Sequence, residues 1–268
     1  MNTSNRYLSE IYIYPVKSAR GISLKKSIVD SRGLRFDRRW MVIDENNTFI
    51  SQRKFPVMAT VETGIDEKNL ILKSSDMPEI RIPLESAEKS AISVKIWKDT
   101  CAAYFCGREA ADWFSHKLGI NCRLVYMPEN SNRPVDRKYS HINRQVSFAD
   151  GYPFLILSDA SLDDLNNRLH QPLPVNRFRP NLVLAETAPY EEDKWREILI
   201  GNIRLHVVKP CSRCVITTTD QKTGKTGKEP LRTLATYRKF GDKVLFGQNA
   251  VHENEGELKT GDLIEIIR

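Results

Sequence analysis

The chain has 268 residues, 40% of them hydrophobic and 28% charged, which suffices for one large core or two smaller ones packed together. Its formal net charge of +7 suits anions in general, but the Lys and Arg residues are spread along the chain with no run like the arms that grip nucleic acid, so no nucleic-acid partner is expected. No stretch of about 18 apolar residues exists to cross a membrane, and MNTSNRYLSEIYIYPVKS lacks the layout of a signal peptide, which makes the cytoplasm the expected compartment.

Taken in chain order, the first elements are strands. Ser9–Pro15 alternates and is rich in β-branched and aromatic residues. Trp40–Ile43, the turn cluster DENN and Thr48–Ser51 predict a hairpin. Further short strands are expected at Ala59–Thr63, Leu70–Leu72, Ile80–Ile82 and Ile92–Ile96. A helix is predicted over Arg108–Lys117, with Ala111, Phe114 and Leu118 on one face and Gly119 as a left-handed cap. Pro128–Arg144 is polar and contains Pro, and reads as a boundary or a long functional loop. Ser158 can cap a second helix reaching Leu169, with Leu162, Leu165 and Leu169 aligned. Strands then return at NLVL, EILI, IRLHVV, VITTT, VLFGQ and LIEII, with a third helix near Pro230–Tyr237. Many short strands at close spacing predict a sandwich or barrel: a mainly β (α+β) chain in two units, residues 1–125 and 126–268.

The five cysteines, Cys101, Cys106, Cys122, Cys211 and Cys214, are an odd number in a chain without an export signal, so reduced thiols are expected rather than a disulfide scaffold. Cys211-Ser-Arg-Cys214 has several physical readings. Structural zinc wants a second ligand pair, and the upstream cysteines are distant and irregularly spaced. A thioredoxin-like dithiol wants a helix start, whereas Val215–Thr219 reads as a strand. One thiolate could bind a soft metal carried by an organic cofactor, or both cysteines could be buried filler at a strand end. Lys209 and Arg213 favour a thiolate, and Ser212 and Arg213 offer donors to an anion. The residues alone reach a thiolate in an anion-friendly loop.

The segment IRLHVVKPCSRCVITTTDQKTGKTGKEPLRTL, with LFGQNAV and GDLIEI after it, resembles the MOSC domain, and most closely that of the amidoxime-reducing components and their hydroxylaminopurine-detoxifying bacterial relatives. LSEIYIYPVKSARGISL and GLRFDRRWMVIDENNTFISQRKFP resemble the N-terminal β-barrel domain of the same family, as VSFADGYPFLILSDASLDDLN and VNRFRPNLVL resemble its central motifs. The resemblance implies a β-barrel-like N-terminal domain packed on a MOSC β-barrel domain. It also implies a molybdenum cofactor whose pterin dithiolene is joined at the metal by the thiolate of Cys214. Lys17, Ser18, Arg38, Gly151, Tyr152, Arg179, Asn181, Ser212, Arg213 and Asn249 match the family's cofactor contacts, with Cys211 a packing neighbour.

The implied reaction is reduction of the N–O bond of small N-hydroxylated compounds such as amidoximes, hydroxylamines and N-hydroxylated bases. The chain ends soon after GDLIEIIR with no further cysteine. A separate electron donor is therefore expected, a ferredoxin, flavoprotein or cytochrome b5-like protein, and no membrane anchor is expected. The alternative is a sulfur carrier or cofactor-handling protein bearing a persulfide on Cys214. Read singly, Lys17, Arg38 and Arg179 are also what solvated charges or strand ends supply. His141 and His206 read as non-catalytic, and Glu191-Glu192-Asp193 as a solvated turn with Trp195 packing behind it. GKTGKEP lacks the order of a nucleotide-binding phosphate loop and reads as a hairpin or loop near the cofactor.

Overall fold

The computed structural model of the chain describes residues 5–85, 90–139 and 142–268. His141 lies outside them. The architecture is mainly β, as the strand spacing predicts, with three α-helices among the described residues. Its largest element is a nine-stranded sheet in the order Ile264–Ile266, Glu197–Ile200, Ile203–Arg213, Lys243–His252, Phe154–Ser158, Leu182–Ala185, Tyr7–Ile13 and Ile22–Leu24, with Lys239–Phe240 paired on Lys243–His252. The first strands of the chain thus complete a sheet whose other strands follow residue 153. Phe154–Ser158 and Leu182–Ala185 run parallel and are buried along their whole length. The helix Asp159–Asn166 makes part of the crossover that parallel pairing requires. Ser158 caps that helix as expected, accepting the Ser161 amide at 3.2 Å, but it stops at Asn166, short of Leu169.

A four-stranded sheet joins Trp40–Ile43, Arg123–Tyr126, Asp99–Phe105 and Ala91–Ile96. Beside it, Glu62–Ile65, Asn69–Ser74 and Met77–Pro83 form a meander, and Arg108–Leu118 closes a core of Trp40, Met58, Leu70, Leu72, Trp113 and Phe114. That helix ends on Gly119 at φ +68, whose amide donates to the Ser115 carbonyl at 2.9 Å. Cys101, Cys106 and Cys122 pack into or against the apolar clusters here, as core filler.

Three local expectations are corrected. Ala59–Thr63 is not a strand: Pro56 starts a 3-10 turn over Pro56–Thr60, and the strand begins at Glu62. Thr48–Ser51 is not a full strand: it returns across the DENN turn to an antiparallel bridge of Phe49 with Ile43 and the Ile50 amide on the Val42 carbonyl, Thr48 also bridges Lys95, and the ladder partner of Trp40–Ile43 is Arg123–Tyr126. Most consequentially, Val215–Thr218 is a 3-10 turn. Thr217 donates its amide (3.1 Å) and hydroxyl (3.0 Å) to the Cys214 carbonyl, and the Thr218 hydroxyl donates to the Val215 carbonyl at 2.8 Å. Threonine hydroxyls that reach back to carbonyls three residues earlier stabilise the turn and override β propensity.

Candidate functional site

One cleft opens where the large sheet meets the loops after Tyr7–Ile13 and around Asp150, and all eleven residues singled out above line it: Lys17, Ser18, Arg38, Gly151, Tyr152, Arg179, Asn181, Ser212, Arg213, Cys214 and Asn249. Positions more than 230 residues apart in sequence share one wall.

Cys214 ends the strand Ile203–Arg213 and precedes the 3-10 turn, with extended backbone (φ −129°, ψ 179°) and a half-buried side chain. The ladder between this strand and Lys243–His252 slips twice, between Val207 and Lys209 and between Pro210 and Ser212. Such bulges re-aim side chains next to sites, and Pro210, which has no N–H to donate, sits at the second. Burial pushes the Cys211 thiol up, which keeps it protonated. Among the described residues no group of three or more His, Cys, Asp and Glu could hold a metal, so the zinc reading finds no ligand set.

The cleft's charge is one-sided. Lys17, Arg38, Arg53, Arg177, Arg179 and Arg213 line it, against Asp150 as the one carboxylate among the described lining residues. Arg38 and Arg179 stack on opposite sides of sequence space but on the same ring, that of Tyr14, at 4.4 and 4.2 Å from its centroid. Both arginines, and Ser18, take left-handed backbone (φ +49°, +56° and +70°), strain of the kind stored at binding sites. Arg38 donates to Asp37 at 2.6 Å and to the Asn181 side-chain oxygen at 3.0 Å. Asn181 also accepts the Leu155 amide at 3.2 Å and donates to the Tyr12 carbonyl at 3.1 Å. Its amide thus braces Arg38 and two strands.

Lys17 is buried, with Nζ donating to the Phe148 carbonyl at 2.8 Å and to Asp150 at 2.5 Å. Burial lowers its pKa from 10.5 to about 8, with Asp150 pulling the other way. Asp150 is exposed to the cleft; the surrounding protein favours its neutral acid, yet Lys17 and Arg53 outweigh that and hold the carboxyl well below its ordinary value. The Trp97 indole also donates to Asp150, at 3.1 Å, while Arg53 stacks on the Trp97 ring at 4.5 Å. Arg133 pins this segment, donating to the carbonyls of Ser147 (2.5 Å) and Ala149 (2.6 Å). Arg133 is the anchor of the long loop 128–144.

Three lining arginines keep a buried nitrogen without a hydrogen-bond partner: Arg53 Nη1, Arg177 Nε and Arg213 Nη2. The rest of Arg213 is fixed, Nε on the Phe246 carbonyl (2.8 Å) and Nη1 on the Phe178 carbonyl (3.1 Å). Unpaired buried donors each cost about 1–3 kcal/mol, and an anion in the cleft would remove that cost. Gly151 faces open space and could approach such a group closely. A phosphate-bearing ligand with a soft metal fits this set of donors: cations and free N–H groups for the anion, and the Cys214 thiol for the metal.

Sequence reasoning missed Tyr14, Arg53, Trp97, Asp150, Arg133 and Arg177. Tyr14 was hidden as an apolar beat of the first strand. Tyr14, Arg53, Asp150 and Arg177 lie inside the motifs that carry the family resemblance, whereas Trp97 and Arg133 do not. His206 stands off the cleft, paired at 2.9 Å with Glu253. The acidic triplet is not simply a solvated turn: Glu192 is buried, accepting from Ser158 (2.9 Å) and Ser161 (2.8 Å), while Asp193 holds Arg238 and Gln248. Trp195 is core, as expected.

Comparison with known proteins gives the following. The model of the MOSC N-terminal beta barrel domain matches residues 5–121, and that of the MOSC domain matches residues 143–265. The chain is 33% identical to mitochondrial amidoxime-reducing component 1 of Mus musculus over 97% of its own length and 82% of the relative's. It is 34% identical to mitochondrial amidoxime reducing component 2 of Bos taurus, covering 95% of itself and 81% of that protein. With molybdenum cofactor sulfurase of Oryza sativa subsp. japonica it shares 32% identity over 96% of this chain and 34% of that protein.

Proposed function

The chain belongs to the MOSC family, with an N-terminal MOSC β-barrel domain, and from that membership we propose that it binds a molybdenum cofactor in the cation-lined cleft and reduces small N-hydroxylated compounds. The observation that carries the reading is the convergence of six cations, three unpaired arginine nitrogens and the Cys214 thiol on one cleft. We keep the division at residues 1–125 and 126–268 as the proposed domain organisation.

In this reading the Cys214 thiolate is the protein's ligand to the metal. Lys17, Ser18, Arg38 and Arg179 hold the phosphate end. Ser212, Arg213, Asn249, Gly151 and Tyr152 line the pterin, and Asn181 positions Arg38. When bound, the cofactor supplies two-electron oxygen-atom chemistry, and the overall change is an N–O bond replaced by N–H, with two electrons and two protons taken up and water released. The protein's tasks are to bind, orient and neutralise. The Tyr14 ring holds two guanidinium groups, so neither has to be ordered when the anion arrives. The electrons come from a separate carrier protein.

The test is Cys214→Ser. The variant keeps the fold and the pterin but loses benzamidoxime reduction with dithionite-reduced methyl viologen as donor. Full activity in that variant would sink the assignment. The rice sulfurase relative keeps a second reading in view, a persulfide carried on Cys214. A molybdenum-to-protein ratio near one after desalting supports the reductase, whereas metal-free protein with a persulfide supports the carrier.

A further inference from the structure

The basic residues form no unbroken run, yet they are concentrated. Lys222–Lys243 holds Lys222, Lys225, Lys228, Arg232, Arg238, Lys239 and Lys243 against Glu229 and Asp242. Seven cations less two acids give +5 in this segment, out of +7 for the whole chain. Arg232 and Arg238 are paired, with Glu229 and Asp193. The five lysines are exposed, and among the described residues none joins an ion pair or a side-chain hydrogen bond.

Two of the most exposed large apolar side chains lie in or shortly before this segment, Phe240 at 57% and Val215 at 54%. Sheet register ties both to the site. Lys239 pairs with Val244, and Val244 pairs with Arg213, the residue before Cys214. Two inter-strand steps make the Lys239–Arg213 row about 10 Å long. Phe240 pairs with Lys243 in the next row. The helix Leu231–Tyr237 packs on the 3-10 turn Val215–Thr218 and on the strand Lys239–Phe240, so the elements that carry the two exposed apolar positions are neighbours. Lysines on an edge strand alone would be ordinary protection against edge pairing. That account covers Lys239 and Lys243. It leaves the three loop lysines and the exposed aromatic ring of Phe240 unexplained. An apolar centre with a charged rim is the anatomy of a transient protein interface.

We infer that this face docks an acidic one-electron carrier protein, with Phe240 and Val215 at the centre of the contact and Lys222, Lys225, Lys228, Lys239 and Lys243 as its rim. The inference rests on the reductase reading, in which each N–O bond broken takes up two electrons. The carrier is oxidised in two single-electron visits, the substrate is reduced, and water supplies the two protons. Docking here brings the carrier to the strand end that bears Cys214. The charge complementarity acts on encounter and is screened by salt.

The experiment uses the purified holoprotein, the double variants Lys239→Glu/Lys243→Glu and Lys225→Glu/Lys228→Glu, and Phe240→Ser. Binding of a plant-type ferredoxin, a flavodoxin and a soluble cytochrome b5 domain is measured by calorimetry at low and at physiological salt. Turnover of benzamidoxime is measured separately with reduced methyl viologen. The expected result is at least about tenfold weaker binding of one or more carriers by each double variant, lost affinity with added salt in the wild type, and unchanged viologen turnover. Phe240→Ser weakens binding without altering the salt slope. Equal carrier binding by wild type and charge-reversed protein overturns the inference. So does tighter wild-type binding to anionic vesicles or duplex DNA than to any carrier. Absence of viologen turnover in the wild type would instead sink the reductase reading, and the binding arm would still judge the docking face.

Discussion

Raising the pH from 7 to 9 gives the sharpest test of the proposed anion site, because it neutralises the one buried lysine that lines it. With a pKa of about 8, Lys17 falls from roughly 90% protonated at pH 7 to roughly 10% at pH 9. A phosphate monoester has lost its second proton by pH 7, so its charge is constant over this range. If the bound anion requires the ammonium form, its affinity falls about tenfold, or about 1.4 kcal/mol, between those pH values. The sign for stability is opposite. The folded-state pKa lies below the ordinary 10.5, so the unfolded chain binds more protons. The empty protein therefore gains stability as pH rises from 8 toward 10.5. Equilibrium dialysis of metal-free molybdopterin against cofactor-free protein reads the first quantity, and urea midpoints read the second. Lys17→Arg should keep its affinity flat from pH 7 to 9, and Lys17→Met should lose the extra stability at high pH. A wild-type affinity that is flat across this interval, or a Lys17→Arg profile with the wild-type slope, would refute the assignment of Lys17 to the phosphate.

Two other substitutions probe the frame around the cleft. His252 is fully buried against Phe154, neither ring nitrogen reaches a partner of hydrogen-bond geometry, and burial lowers its pKa from 6.5 to about 4, with Arg144 adding to the effect and the Asp30 backbone opposing it. The neutral ring contributes stability that is complete above pH 6.5 and is lost as pH falls toward 4, about 2 kcal/mol of it by pH 5. His252→Leu removes that dependence, so denaturation midpoints of variant and wild type should diverge on acidification; parallel profiles would count against it. Gly247 has φ +76°, and a Cβ there would lie 2.7 Å from the Ile156 carbonyl oxygen and 3.6 Å from Arg213 Nη2. Gly247→Ala should cost about 1–3 kcal/mol in thermal unfolding and lower pterin occupancy; a wild-type melting point with full occupancy would show the backbone there to be unconstrained.

The sequence was most legible where one physical requirement dominates. The helix Arg108–Leu118 follows from its apolar face and Gly119, and the buried strand at NLVL follows from its continuous hydrophobicity. It was less legible where side chains compete with the backbone. The β-branched run after Cys214 turns because its threonines satisfy carbonyls locally. Long-range pairing was also hidden. Trp40–Ile43 takes its ladder partner, Arg123–Tyr126, from far along the chain, a pairing that no local pattern carries. In the site, charged residues announced themselves by type, whereas Tyr14, Asp150 and Arg133 act through what they brace.

The turn after Cys214 removes the ground on which a dithiol was set aside, since the motif is not followed by a strand. Other features separate the two cysteines. Between Pro210 and Ser212 the ladder slips at Cys211, whose thiol burial holds protonated, and protonated thiols are poor nucleophiles and poor ligands. Cys214 lies past the end of the ladder, in extended backbone. Its carbonyl is tied down by Thr217, and the guanidinium of Arg213 beside it is fixed on two carbonyls with Nη2 still unpaired. A redox dithiol needs two exchangeable sulfurs, whereas a cofactor site needs one thiolate beside fixed donors. The asymmetry between Cys211 and Cys214, argued from bulge, burial and backbone rather than from spacing, favours the second.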